Sequence, residues 1–144
     1  VHGKTAYIVA GIMEYVLGQF PSYRLMIGSQ QYLAGSILVA NGKYYAGRLV
    51  WAPDADICKP VFQIGLFKNV NRRSLPVFMI SMASGLLPKL KGFYLTNSTE
   101  IILKEPVGQP VQADGDVVAN LPVSIGIADQ RARFFAVEHT PADL

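Results

Sequence analysis

From Pro21 onward the chain is written as short runs of β-forming residues, each closed by a turn signal, and this punctuation limits the fold more than any other feature. Tyr23 to Ile27, Tyr32 to Ala40, Lys43 to Val50 and Val61 to Lys68 are separated by Gly28-Ser29, Asn41-Gly42 and the turn at Ala52-Pro53-Asp54. Runs of this length and spacing predict antiparallel sheets. Asn41-Gly42 reads as a two-residue hairpin, because both residue types accept positive φ. Further strands are expected at Gly92 to Thr96, Thr99 to Leu103, Pro110 to Ala113, Val123 to Ile127 and Arg133 to Val137. Two segments break the β pattern. Thr5 to Leu17 carries Ala6, Ile8, Val9, Ile12, Met13, Val16 and Leu17 at helical spacing and stops at Gly18. Leu75 to Leu87, with Ser81 and Ser84 on one side and Gly85 near its end, predicts a short helix laid on a sheet. The expected fold is mainly β: a two-layer antiparallel β-sandwich with an N-terminal helix and one further short helix.

The 144 residues suit one domain, spanning 1–144, with a core of its own. Hydrophobic residues make up 51% and charged ones 16%, so some apolar surface is expected to meet a partner, a lipid or another domain. The net charge of +3 is modest, and Arg72-Arg73 and Lys89/Lys91 are its tight groups. That scatter argues against a nucleic-acid surface, which gathers Lys and Arg into one stripe, and leaves attraction to anionic headgroups open. The single cysteine, Cys58, has no partner for an internal disulfide; it reads as a small apolar filler in a protein of a reducing compartment. The apolar stretches are interrupted by Glu14, by Asn41 and Lys43, and by Lys89, each too early for a bilayer crossing. The abrupt opening Val1-His2-Gly3-Lys4, with a helical pattern almost at once, reads as the start of a fragment. Glu138 to Leu144 reads as a polar tail.

Acidic chemistry is concentrated at Asp114-Gly115-Asp116. Asp-Gly is a turn signal by itself. The second carboxylate is not needed for turning, and two acids this close can hold a cation or accept a hydroxyl proton. His2 and His139 stand at the two ends, far from any metal-ligand or triad spacing. Ser74, Ser81 and Ser84 lack an evident base and read as helix caps or helix surface. Ala46-Gly47-Arg48 has one glycine where a phosphate loop needs several.

Three segments in order carry a further signal: Leu38-Val-Ala-Asn-Gly-Lys-Tyr-Tyr-Ala-Gly-Arg48, Ala52-Pro-Asp-Ala-Asp56 and Val111-Gln-Ala-Asp-Gly-Asp116. Together they resemble the C-terminal domain of the diacylglycerol kinase and sphingosine kinase-like lipid kinases. There the corresponding text runs Asn-Gly-x-Tyr-x-Gly-Gly-Gly, then Ala-Pro-x-Ala into Asp-Asp-Gly, then Asp-Gly-Glu. The opening Lys4-Thr-Ala-Tyr-Ile8 is similar to the helix that precedes the sandwich in those enzymes, so the likeness spans nearly the whole chain. It implies transfer of the ATP γ-phosphate to a lipid hydroxyl in a cleft between two domains. This domain is then expected to supply the lipid pocket and one cleft wall, while the nucleotide loop lies in an N-terminal domain absent from this chain. The fragment alone is expected to be inactive. The implied cofactors are ATP and Mg²⁺, and the implied partners are a lipid alcohol, the missing domain and a peripheral membrane contact, with no nucleic acid. The implied setting is bacterial phospholipid metabolism, in the cytoplasm and transiently at the inner membrane surface.

Carried over residue by residue, Asp114 and Gly115 match the first two positions of Asp-Gly-Glu, and Asp116 matches the glutamate that serves as general base or nucleotide-facing acid. Asp116 is thus the expected catalytic residue, and Asp114, Gly115 and Asp116 the expected cofactor-facing ones. Asn41, Gly47 and Arg48 are the expected substrate-binding residues. Three departures stand out. Asp116 is one methylene shorter than glutamate, a retreat of roughly 1 Å that can cost ~100-fold under strict geometry. Cys58-Lys59-Pro60 replaces the Asp-Asp-Gly that helps bind a structural Mg²⁺, with Lys59 at the acid position, so a divalent ion there is not expected. Ala46 and Arg48 flank Gly47 where relatives run three glycines; Arg48 offers a phosphate a guanidinium or is an ordinary strand residue. A non-catalytic lipid- or partner-binding sandwich is the alternative these departures permit. A self-contained adhesion or carbohydrate module is a third, but it calls for an aromatic-lined polar face, and Trp51 sits beside a turn while the tyrosines are dispersed.

Overall fold

The structure, a computed structural model, describes residues 20–45 and 49–130. The expected helix at Thr5 to Leu17, the strand at Arg133 to Val137 and the C-terminal tail lie outside the described residues, as do His2, Gly47, Arg48 and His139. The strands are β1 (Tyr23–Ile27), β2 (Gln30–Ala34), β3 (Ser36–Ala40), β4 (Tyr44–Tyr45), β5 (Leu49–Val50), β6 (Phe62–Phe67), β7 (Phe93–Ser98), β8 (Glu100–Glu105), β9 (Pro110–Ala113), β10 (Asp116–Asn120) and β11 (Val123–Gly126). One helix, α1 (Ser74–Ala83), and a 3₁₀ turn at Leu87–Lys89 separate β6 from β7. The architecture is mainly β and antiparallel, as the sequence predicts. One sheet has the order β11-β8-β1-β2 and a second the order β3-β6-β7, while β9 with β10 and β4 with β5 form two-stranded ribbons.

The two larger sheets face each other across one core. Leu25 and Ile27 of β1 pair with Leu103 and Ile101 of β8, and all four side chains meet Ile64 and Leu66 of β6. β6 is buried on both faces, since its alternate residues, Gly65 and Phe67, turn the other way into a second core beneath α1. There Phe67 stacks between Phe93 (centroids 4.7 Å apart) and Phe78 of α1 (4.9 Å, edge-on), with Trp51 and Leu87 fully enclosed. The helix is therefore a third layer on the outer face of the three-stranded sheet.

Gly65 makes this second core possible. A Cβ built on it would lie 2.9 Å from both Trp51 Cζ3 and Phe93 Cε2, so the two rings occupy the space a side chain would need. Gly35 has a comparable role in the backbone. A Cβ there would come within 2.7 Å of the Val70 nitrogen, and the Gly35 N–H donates to the Phe67 carbonyl at 2.7 Å.

Several expectations need correction. The run Tyr32 to Ala40 is not one strand: it breaks at Gly35, β2 pairing with β1 in one sheet and β3 with β6 in the other. Lys43 to Val50 is likewise two strands, Tyr44 opposing Val50 and Tyr45 opposing Leu49. Asn41-Gly42 is a bend rather than a hairpin turn, because β3 pairs with β6 instead of β4 and Gly42 lacks positive φ. The helix stops at Ala83 rather than Leu87. Gly85, at φ +70°, terminates it with its N–H on the Met82 carbonyl and the Leu86 N–H on that of Ser81, the paired bonds of a Schellman end. Ser81 is buried rather than on the helix surface, and Cys58 is exposed rather than an apolar filler. β10 is an addition, lying where the sequence reading passes from Ala113 to Val123 without a strand.

Gly65→Ala is expected to lower stability by about 1–3 kcal/mol, the usual range for overpacking a core, read as a lower urea midpoint. Gly35→Ala should cost at least as much, because its neighbour is backbone and cannot rotate aside.

Candidate functional site

The Asp114-Gly115 step closes the β9–β10 ribbon as a two-residue turn, with Ala113 and Asp116 paired across it. Asp114 has φ +52° and Gly115 φ +100°, the two positive values of a type I′ turn. Asp tolerates the left-handed region better than most residues and Gly accepts it freely, which is why this dipeptide stands here. Asp114, Gly115 and Asp116 are all exposed at the tip. The base of the ribbon is held firmly: Gly108 N–H donates to the Leu121 carbonyl (2.9 Å), Leu121 N–H to that of Gln109 (2.8 Å), and Leu121 is buried in the first core. A register shift between Val117 and Ala119 adds a bulge on the β10 side. Two carboxylates are thus carried into solvent on an arm anchored at its root.

The second motif is built differently. Ala55 N–H closes a turn on the Ala52 carbonyl at 3.1 Å, and Trp51 and Ala52 are buried beside it. Gln63 of β6, 4% exposed, accepts the Asp54 N–H on Oε1 (3.2 Å) and donates Nε2 to Asp54 Oδ2 (3.4 Å). The Asp54 carboxylate therefore fastens the loop to the sheet and satisfies a buried amide. Asp56 begins the next turn, its Oδ1 accepting the Cys58 N–H at 2.9 Å and its carbonyl the Lys59 N–H at 3.0 Å. Lys59 Nζ lies 3.6 Å from Asp56 Oδ2. The Asp56 carboxyl is held below its ordinary range, first by the Cys58 N–H and then by the Lys59 ammonium.

Asn41 is exposed in the bend after β3, and that bend meets the second motif: a Cβ on Gly42 would stand 3.4 Å from Ile57 Cγ2. Two of the three sequence motifs are thereby neighbours. No hydrogen bond or ion pair among the described residues joins Asn41 or the Asp56–Lys59 turn to the tip at Asp114–Asp116. Nor do three His, Cys, Asp or Glu side chains gather into a metal-binding group among the described residues. At the Asp56 turn the donor set does not fit a divalent ion, because an ammonium already faces one carboxylate and an amide the other.

One feature escaped sequence reasoning. Between β2 and β7, the edge strands of the two larger sheets, lies a cavity of about 500 Å³ lined by Tyr32, Leu33, Leu66, Lys68, Tyr94, Leu95 and Thr96. Tyr94 is paired with Leu66 and Thr96 with Ile64, so these side chains share the face that looks into the sandwich. Lys68 Nζ sits 4.6 Å from the centre of the Tyr94 ring, placing a cation against an aromatic face at the mouth. The cavity unites residues more than sixty positions apart, from strands that never pair, and no local pattern marks it.

An antiparallel sandwich of two sheets, backed by one helix and bearing an acid-tipped ribbon, defines the class of domain. The family is equally plain: residues 1–136 match the model described as the YegS C-terminal NAD kinase beta sandwich-like domain, and the chain belongs to that family. No curated protein matches it. Among solved structures, a diacylglycerol kinase from Bacillus anthracis str. Sterne is similar at 17% identity and TM-score 0.64, covering 86% of this chain and 43% of its own. Another structure from that organism, of a protein assigned provisionally as a diacylglycerol kinase, is similar at 17% identity and TM-score 0.63 over 86% of this chain and 44% of its own. At that identity the likeness is one of fold, and the chain spans less than half the length of these structures.

NMR titration of the Asp56 carboxyl should give a midpoint below that of an unstructured aspartate. Lys59→Ala should raise it only in part, since the Cys58 N–H is the larger cause. A depressed folded value means that this group's stabilisation is present at neutral pH and is lost as pH falls through the folded midpoint.

Proposed function

We propose that this chain is the lipid-acceptor domain of a longer ATP-dependent lipid kinase, diacylglycerol kinase-like, in which Asp116 works at the cleft shared with a nucleotide-binding domain. The observation that carries this reading is the anchored ribbon with two exposed carboxylates at its tip, in a domain of this family. Names of the solved relatives point the same way. The tip suits a proton-accepting role: it is exposed, its turn is rigidly specified, and its root is tied to the core. As the acceptor oxygen bonds to the γ-phosphorus, its proton passes to the Asp116 carboxylate, the bond to the β-phosphate oxygen breaks and ADP leaves. ATP with its Mg²⁺ supplies the phosphoryl group when bound to the longer protein. Asp114 and Gly115 shape the turn that aims Asp116, and the carboxylates of the tip would stand on the nucleotide side of the cleft.

The cavity between β2 and β7 is the place for the acceptor's apolar portion. Its walls are Leu33, Leu66, Leu95 and the two tyrosine rings, and Lys68 at the mouth can hold a headgroup oxygen. Asn41, with Gly47 and Arg48, would line the substrate side of the cleft. No helix among the described residues is long and apolar enough to cross a membrane. Peripheral action from the cytoplasm, at the inner membrane surface, fits a substrate that resides in lipid.

A second reading, a binding domain without turnover, is favoured by one observation: the acids of the second motif are already engaged by Lys59 and Gln63. One experiment separates the two. Full-length protein with labelled ATP and diacylglycerol should transfer label, and Asp116→Asn should reduce transfer at least ~100-fold, in the usual span for a general base. Unchanged transfer in that variant would remove Asp116 from the chemistry. Lipid binding without ATP turnover, for any lipid alcohol tried, would establish the second reading.

A further inference from the structure

Between Asp56 and Glu100 the chain contains no acidic residue, yet Lys59, Lys68, Arg72, Arg73, Lys89 and Lys91 all fall within that span. At its centre lies α1, whose ten residues Ser-Leu-Pro-Val-Phe-Met-Ile-Ser-Met-Ala include no charge. A helix apolar on every side is normally enclosed by protein or lipid. Among the described residues only one side is enclosed: Phe78, Ser81 and Met82 are buried, and Phe78 and Met82 join the core formed with Phe67 and Phe93 of the three-stranded sheet. The outward side leaves Ile80 69%, Met79 57% and Val77 49% exposed, and Leu86 just beyond the helix 54%.

The flanks of this ridge are basic. Arg72 and Arg73 are exposed at its N-terminal end. At the other end Leu87, fully buried in the second core, pins the 3₁₀ turn that carries Lys89, with Lys91 directly after it. Asn71 fixes the N-terminal geometry, its Oδ1 accepting the N–H groups of Arg73 (2.9 Å) and Ser74 (3.0 Å). The result is an apolar ridge roughly 15 Å long with cations at both ends and no carboxylate in the segment. We propose that this face of α1 is a docking surface for an anionic lipid bilayer. The outward apolar side chains enter the boundary between headgroups and acyl chains, and the flanking Arg73, Lys89 and Lys91 side chains meet the phosphates. Charge complementarity selects this occupant. A second copy of the chain would bring the same cations against one another, whereas an anionic headgroup layer neutralises both ends at once.

The surface is independent of the chemistry assigned to Asp116, which lies on a different ribbon. The test uses full-length protein, without nucleotide, and sedimentable vesicles of phosphatidylcholine alone or mixed equally with phosphatidylglycerol. Binding should favour the anionic vesicles and weaken at high salt. Lys89→Gln and Lys91→Gln should each lower it about fivefold, the effect of removing one cation near a charged bilayer. Ile80→Asp should abolish most binding with an unchanged thermal midpoint, since Ile80 makes little contact with the protein. Should that variant fold poorly, Ile80→Ser and the lysine variants give the same readout. Asp116→Asn should bind vesicles like the parent. The proposal is overturned if the parent does not prefer anionic vesicles, or if the lysine and Ile80 variants bind as well as it does. It is equally overturned if Ile80→Asp converts a dimer to a monomer while vesicle binding persists.

Discussion

Burial of β6 on both faces is the constraint from which the rest of the domain follows. Ile64 and Leu66 complete the sandwich interior with Leu25, Ile27, Ile101 and Leu103, while Gly65 and Phe67 form the floor on which α1 and Trp51 rest. A strand so placed must satisfy its polar groups without water. Its one buried amide, Gln63, does so by holding Asp54, and in doing so it positions the loop that carries Asp56 and Lys59. The absence of a side chain at Gly65 admits the Trp51 ring, and the ring in turn roots the same loop. Core packing and motif geometry are here one arrangement.

The same constraint divides the labour of the surface. Because α1 is drawn onto the sheet by Phe78 and Met82, its other side is left facing outward with a basic border. The acids of the Asp-Gly-Asp tip stand on a ribbon that pairs with itself and joins the core only at its root. The carboxylates of the tip are thus kept on a separate arm from the cations that border α1. Between the edge strands β2 and β7 the fold leaves a cavity of about 500 Å³.

Legibility varied with how local the decisive physics was. Tyr23–Ile27 and Pro110–Ala113 lie where the sequence pattern puts them, since each is a β-rich run ended by a turn whose chemistry is contained in the turn residues. Asp114-Gly115 turns as its dipeptide preference dictates. Asn41-Gly42 carries an equally strong signal and does not form a hairpin, because β6 captures β3 and β4 pairs onward with β5. The run Tyr32 to Ala40 is continuous in pattern but crosses from one sheet to the other at Gly35, where Val70 leaves no space for a side chain. Ser81 and Cys58 exchange their expected places for a similar reason: burial depends on which face a neighbour covers, and residue type only biases it. At the site, Asp114 to Asp116 were visible as a motif, whereas the cavity was invisible, its walls coming from two strands of different sheets.

By itself the sequence determined the β-rich class, the turn at Asp114-Gly115, the family motifs and their departures at Lys59 and Asp116. These are properties of single residues or short spans, and local backbone preference suffices to express them. Tertiary structure alone decided that a nine-residue run serves two sheets, that Asp54 and Asp56 are held by Gln63 and Lys59, and that α1 buries one apolar side and exposes the other. The reason is that these outcomes are contests between distant surfaces for a limited interior. The winner is the arrangement that fills both sides of β6, a quantity no short stretch of chain contains.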